Sequence, residues 1–205
     1  MQRQTDRAGL LAGLAAGLLC LALAACAVRP QPVLPGPSAA EQALVEEAAG
    51  LEEKKKRRAR RALRRNRRLV AAFEAASIMA VAQERGVRIT IAGLLFEFGS
   101  DGLRPAAKDR LSRVAGVLGR EGRGRKVMVE GHSDAIGAEL FNLDLSRRRA
   151  AAVAQELKRA GVAAALVSAA GYGSKYPVAP NEGSDGRDDP AGRARNRRVE
   201  ILVLD

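Results

Sequence analysis

Tryptophan is absent from the 205 residues, aromatic side chains make up only 3% of them, and histidine occurs once, as His132. A core must therefore be assembled from Ala, Val, Leu and Ile, and a centre built on several histidines is excluded. The two cysteines, Cys20 and Cys26, both lie near the N-terminus. Everything after them lacks a thiol for a disulfide, a zinc centre or a nucleophile. No phosphate-binding loop or dinucleotide motif occurs, so neither a cofactor nor a metal is expected. Acidic residues are also in deficit, 23 Asp and Glu against 35 Lys and Arg, which leaves a formal net charge of +12. Such a balance implies a polyanionic neighbour, either nucleic acid or a membrane and envelope surface.

The start of the chain chooses between those settings. Arg3 and Arg7 precede an apolar stretch, Ala8 to Ala25, rich in Leu, Ala and Gly. A charged region followed by a hydrophobic one is the order found in a secretory signal peptide. The stretch closes on Leu23-Ala24-Ala25-Cys26, which resembles the lipobox of bacterial lipoproteins. That resemblance implies cleavage after residue 25 and acylation of Cys26. Cys20 follows Leu19, a residue too large for the position before the cut. Ala27 is not the Asp associated with inner-membrane retention in some bacteria, which favours the outer membrane. An uncleaved span is the alternative, although about 18 residues rich in Gly and Ala is short for one. Residues 26–38 contain RPQPVLPGPS, with four prolines in ten residues, and read as a semi-extended tether.

Residues 39–85 read as a charged helical linker, rich in Ala, Leu, Glu and Arg and free of proline. Its first part is acidic, and then Lys54 to Arg68 carries eleven basic residues among fifteen. Leu44, Ala48 and Leu51, and later Leu69, Phe73, Ala76 and Ala80, hint at a helical seam that the basic run interrupts. The run is either a solvated helix face or a cationic stripe touching an anionic envelope surface, lipid headgroup or wall polymer. Nucleic acid is excluded as a partner by export, and no aromatic residue interleaves the run for base stacking.

Residues 86–205 alternate between strand and helix patterns. Val87 to Ile91 alternates as a strand, with Leu94 to Phe98 continuing it or pairing as its return. Pro105 opens a helix with an apolar stripe of Leu111, Val114, Ala115 and Leu118. Arg125 to Glu130 forms the second strand. The helix that follows runs towards Ala160, with Leu143, Ala150, Val153, Ala154 and Leu157 inward and Gly161 as its stop. Leu166 to Tyr172 is a third strand, Lys175 to Arg195 a long loop and Arg198 to Leu204 a closing strand. The expected fold class is α+β, in two layers, with helices on one face of a mixed four-stranded sheet.

The segment GHSDAIGAELFNLDLSRRRA, from Gly131 to Ala150, resembles the signature of the OmpA-like peptidoglycan-binding domain shared by OmpA, Pal and MotB-like proteins. LLFEFGSDGLRPAA, GYGSKYPVAPN and GRARNRRVEILV resemble further blocks of that family in the same order. The resemblance implies the two-layer architecture. It also implies that Asp134 and Arg149 grip the diaminopimelate of the stem peptide, carboxylate to ammonium and guanidinium to carboxylate. Asn142 matches the family's asparagine and either caps the central helix, contacts the stem peptide, or does both. Arg197 matches a pocket-lining residue, and Glu97 to Gly99 match a bordering loop. From the residues alone, Asp134 could equally be an Asx-turn or helix cap, with Arg149 paired to it or to Asp144. Arg187 to Arg193 makes the last loop longer and more charged than the family pattern.

The expected function is that of an outer-membrane lipoprotein holding peptidoglycan non-covalently, its domain in the periplasm. A MotB-like wall-binding component of a motor or transport complex, anchored in the inner membrane, is the alternative. Ala8 to Ala25 contains no ionisable group to form an ion path for it. No enzyme is expected. His132, Ser133 and Asp134 are consecutive on an extended segment, so their side chains alternate in direction and do not converge as a triad.

Overall fold

The computed structural model describes residues 36, 38–92, 95–96 and 100–205. The leader, Cys26, nearly all of the tether and Glu97 to Gly99 lie outside the described residues. The chain divides into two units, Met1–Leu44 and Val45–Asp205. In the first, Ser38 and Glu41 form a reciprocal capping box. Glu41 N–H donates to Ser38 Oγ (3.3 Å), and Ser38 N–H donates to Glu41 Oε2 (2.6 Å). Two backbone donors that a helix start leaves unpaired are thereby satisfied.

Helix α1 spans Ala39–Ala75 and the sheet follows it. The strands are β1 (Ala80–Gln83), β2 (Gly86–Ala92), β3 (Val127–Gly131), β4 (Val167–Gly171) and β5 (Arg198–Leu204). The remaining helices are α2 (Pro105–Glu121), α3 (Glu139–Arg159) and α4 (Pro190–Asn196). The strand order is β1-β2-β5-β3-β4. All neighbours are antiparallel except β3 and β4, which run parallel through the α3 crossover.

The mixed sheet thus has five strands where four were expected. Ala80–Gln83, read from composition as the end of the linker helix, is an edge strand. It folds back on β2, with Ala80 facing Ile89 and Gln83 facing Gly86. Gly86 therefore does not end a helix but begins β2, at φ +143°, where a Cβ would collide with the backbone of Val203. Phe96 makes one isolated bridge to Leu103 instead of extending β2. Lys175 to Arg195 is not wholly loop either, because α4 lies within and beyond it.

Alternation on the strands sorts the core from the outer face. Val87, Ile89 and Ile91, Val127 and Val129, and Val199, Ile201 and Val203 meet Leu111, Val114 and Leu118 of α2 and Ala150, Val153 and Leu157 of α3 in one cluster. Leu69 and Phe73 of α1 belong to the same cluster and are fully buried. The seam predicted for them is filled by the domain's own core. Leu145 is buried, whereas Leu143, expected inward, is 43% exposed. Helix α3 stops as anticipated. Gly161, at φ +100°, donates to Lys158 O, and Val162 donates to Leu157 O, the paired bonds of a Schellman motif.

Candidate functional site

The site lies where β3 and β4 end and α3 begins. Two glycines let the helix backbone rest on the strand ends. A Cβ on Gly131 would lie 2.9 Å from Ser146 C, and one on Gly171 would lie 2.5 Å from Arg147 Cα. Ser146 Oγ donates to Leu143 O (2.8 Å) and accepts from Gly173 N–H (2.9 Å), stitching helix to strand end. His132 N–H donates to Arg198 O and Ser133 N–H to Gly173 O, so the loop leaving β3 is tied to both of its neighbours.

Asp134 follows on that fixed loop. Its Oδ1 accepts from Ile136 N–H (3.2 Å), an Asx-turn, and its Oδ2 accepts from Arg197 Nη1 (2.6 Å). Arg193 Nε lies 3.8 Å from the same Oδ2. Asn142 is buried in the first turn of α3 and donates to Ile136 O (2.9 Å) and Asp134 O (3.4 Å). It clamps the Asp134 loop onto the helix and does not cap it, because Ala138 is the N-cap residue and makes no side-chain cap bond.

Arg149 stands two turns further along α3, half-buried, with Nε donating to Ser100 O (3.1 Å) and its guanidinium 4.9 Å from the Phe96 ring centroid. It makes no ion pair among the described residues, neither with Asp134 nor with Asp144, which instead pairs with Arg147 and Arg148. Burial lowers its pKa most, and the charge of Arg197 lowers it further, against Asp101 and Asp134. A guanidinium so placed keeps its charge at any physiological pH. Its hydration is reduced, and no carboxylate among the described residues forms a direct ion pair with it.

Two groups escaped the sequence reading. Arg193, 15% exposed, pairs with Asp188 and approaches Asp134. It comes from the stretch flagged only as unusually long and charged. Helix α4 carries it there: Asp189 caps the helix through Ala191 N–H (3.0 Å) and Gly192 N–H (2.9 Å), with Pro190 in its first turn. Asn196, fully buried, accepts at Oδ1 from Val178 N–H (2.8 Å) and Ala179 N–H (3.0 Å) and donates from Nδ2 to Ala179 O (2.8 Å) and Asn181 Oδ1 (3.1 Å). Asn181 Oδ1 in turn accepts from Ala135 N–H, joining this loop to the one bearing Asp134. The site thus gathers three guanidinium groups near Asp134: Arg197 paired to it, Arg193 shared between it and Asp188, and Arg149, which feels both Asp134 and Asp101. Arg149, which makes no ion pair among the described residues, suits a ligand that brings carboxylate, and Asp134 suits one that brings ammonium as well.

On the sheet face away from the helices, Glu130, His132 and Glu200 bring potential metal-ligand atoms within 4.8 Å of one another. Glu200 is already bonded by Arg198 Nε (2.7 Å) and Arg88 Nη1 (3.4 Å), so arginine supplies the positive charge a cation would bring. His132 is buried, stacks on Tyr172 at 5.7 Å and is pushed down to about pKa 4 by burial, then by Arg198 against Glu200. Ser133 Oγ donates to Asp134 O (2.9 Å), away from the imidazole, and no triad forms.

The family model described as the OmpA family matches residues 95–190. The outer-membrane lipoprotein YfiB of Pseudomonas aeruginosa is 36% identical over 137 residues, which is 63% of this chain and 77% of that protein. The chain belongs to the OmpA family. The peptidoglycan-binding protein ArfA of Mycobacterium tuberculosis is 42% identical to this OmpA-family chain over 108 residues, 52% of the chain and 31% of ArfA. A structure of the cell wall anchor of the T6SS from Pseudomonas aeruginosa superimposes with a TM-score of 0.54 at 32% identity, covering 68% of this chain and 96% of that one. The chain spans under a third of ArfA's length and 12% of the length of another curated relative. The matched residues of the OmpA-family domain include Asp134, Asn142 and Arg149.

Proposed function

We propose that this OmpA-family protein is an outer-membrane lipoprotein that binds peptidoglycan non-covalently through the diaminopimelate of the stem peptide. The observation that carries the reading is Arg149, a half-buried guanidinium without an ion pair among the described residues, on the same ring of charge as Asp134. The free end of diaminopimelate is an amino acid zwitterion. Its carboxylate takes the fork of Arg149, and its ammonium takes Asp134 Oδ2, to which Arg197 now donates. Released Arg197 then faces a second carboxylate of the peptide, and Asn142 keeps the loop in place throughout. No bond to substrate is made or broken, and the role is binding without catalysis. The names of YfiB and ArfA, an outer-membrane lipoprotein and a peptidoglycan-binding protein, support both halves of the reading.

Acylated Cys26 would hold the chain to the outer membrane, leaving the domain in the periplasm. The basic segment Lys54 to Arg68 would meet an anionic envelope surface. Wall binding gains from multivalency, because the polymer repeats its stem peptide many times. Co-sedimentation with purified sacculi tests the pocket: Asp134→Ala with Arg149→Ala is expected to stay in the supernatant while wild type pellets. Equal pelleting of the two refutes the assignment. Mass spectrometry of the mature N-terminus tests the anchor, where a diacylated or triacylated Cys26 is expected and an intact Ala8 to Ala25 stretch refutes it.

A further inference from the structure

Helix α1 is not free to rotate about its axis. Leu69 and Phe73 are fully buried in the sheet core, and buried Asn66 donates from Nδ2 to Asp205 Oδ2 (3.0 Å). These three residues, three and four apart, define the inward face. At about 100° per residue the opposite face carries Arg60, Arg61, Arg64, Arg67 and Arg68. All five are exposed, and none makes an ion pair among the described residues. Among the described residues, the acids upstream form ion pairs with Lys55 (Glu52, 2.7 Å) and Arg57 (Glu53, 3.4 Å) and not with these five. A solvated face laced with compensating pairs would look different.

Where this face sits decides what it meets. Asn66 bonds to Asp205, immediately beyond the C-terminal end of β5, beside the ion pair of Asp205 with Arg125 (3.0 Å). Arg197 and the candidate site precede the N-terminal end of the same strand. The seven residues of β5 separate the two by about 20 Å. The stripe and the pocket therefore occupy opposite ends of one sheet, and a pocket engaged with the wall leaves the stripe facing away from it. The stripe offers no apolar wedge either, since Ala59, Ala62 and Asn66 fall on the inward side of the helix and the one large apolar side chain nearby, Leu63, lies to one side of the arginines.

We propose that Arg60, Arg61, Arg64, Arg67 and Arg68 form a docking face for anionic phospholipid headgroups, holding the domain against the membrane at the end opposite its wall-binding pocket. The orientation rests on the peptidoglycan reading above, whereas the charge complementarity does not. Polybasic faces gain affinity for anionic bilayers additively and without insertion.

The test uses the full chain and vesicles of phosphatidylcholine with and without phosphatidylglycerol. The difference between the two vesicle types isolates the headgroup contribution from any lipid anchor. Changing the five arginines to Gln is expected to reduce the anionic increment by about a thousandfold or more, whereas changing them to Lys retains it. Raised salt abolishes the wild-type increment. The Gln variant keeps its sedimentation with sacculi, and Asp134→Ala with Arg149→Ala keeps its anionic increment, so the two readings fail separately. An increment unchanged in the Gln variant overturns the proposal. So does loss of sacculus binding in that variant with the vesicle increment intact, which would assign the stripe to the wall polymer.

Discussion

Gly171→Ala is the sharpest perturbation the site offers. The added methyl would lie 2.5 Å from Arg147 Cα and 2.7 Å from Ser146 Oγ, both on or attached to helix backbone that cannot swing aside. Restoring ordinary contact requires α3 to lift by about 1 Å from the end of β4. Overpacking of that kind costs about 2–3 kcal/mol. In a chain of this size the loss lowers Tm by about 6–8 °C. Gly131→Ala pushes against the same residue from β3, with Ser146 C at 2.9 Å. Because one displacement of α3 relieves both clashes, the double variant is expected to fall short of the summed losses by about 1 kcal/mol. Gly119→Ala is the control, since nothing lies within 4 Å of its Cβ. There the expected change is a gain of about 0.5–1 kcal/mol from helix propensity. Thermal and urea denaturation followed by circular dichroism measures all four proteins. Gly171→Ala matching Gly119→Ala in sign, or strict additivity of the two strand-end variants, would show that α3 does not rest on these glycines. Sacculus sedimentation of Gly171→Ala should weaken in parallel, because Arg149 rides on the displaced helix.

His132 should titrate with a midpoint near 4 in an NMR experiment, against about 6.5 in the unfolded chain. The unfolded state therefore binds the proton first, so this histidine's contribution is full above pH 6.5 and declines as pH falls towards 4, by roughly 2–3 kcal/mol. A His132→Asn variant should lose that part of the acid sensitivity, and identical pH–stability curves would contradict it. Asn196→Ala strands the N–H groups of Val178 and Ala179 and should cost about 3 kcal/mol in urea denaturation. A loss below about 1 kcal/mol would mean that water replaces the amide.

The parts of the fold that the sequence announces are those where one local rule dominates. Pro105 opens α2, Gly161 closes α3 and Arg198–Leu204 forms β5, because a fixed φ, a positive φ and an alternating run each leave a single local solution. Ala80–Gln83 was hidden because Ala and Gln favour helix, and only the return through residues 84–85 onto β2 makes it a strand. Helix α4 was hidden by its length, although Asp189-Pro190 is a legitimate start signal. The spacing of Leu69 and Phe73 showed that a face is buried, but periodicity is silent about what covers it. In the candidate site, the motif names Asp134, Asn142 and Arg149 as neighbours at one strand-to-helix junction, while the bond from Arg197 to Asp134 and the approach of Arg193 depend on a loop folding back from far along the chain. No local pattern encodes such a meeting.

Strand β5 is the fifth of the five strands in chain order, yet it lies between β2 and β3 and pairs with both. Without those seven residues the hairpin β1-β2 and the pair β3-β4 have no common edge, and the helices lose the central strand beneath their apolar faces. The sheet therefore closes through pairing between distant parts of the chain, which is the slow kind to form.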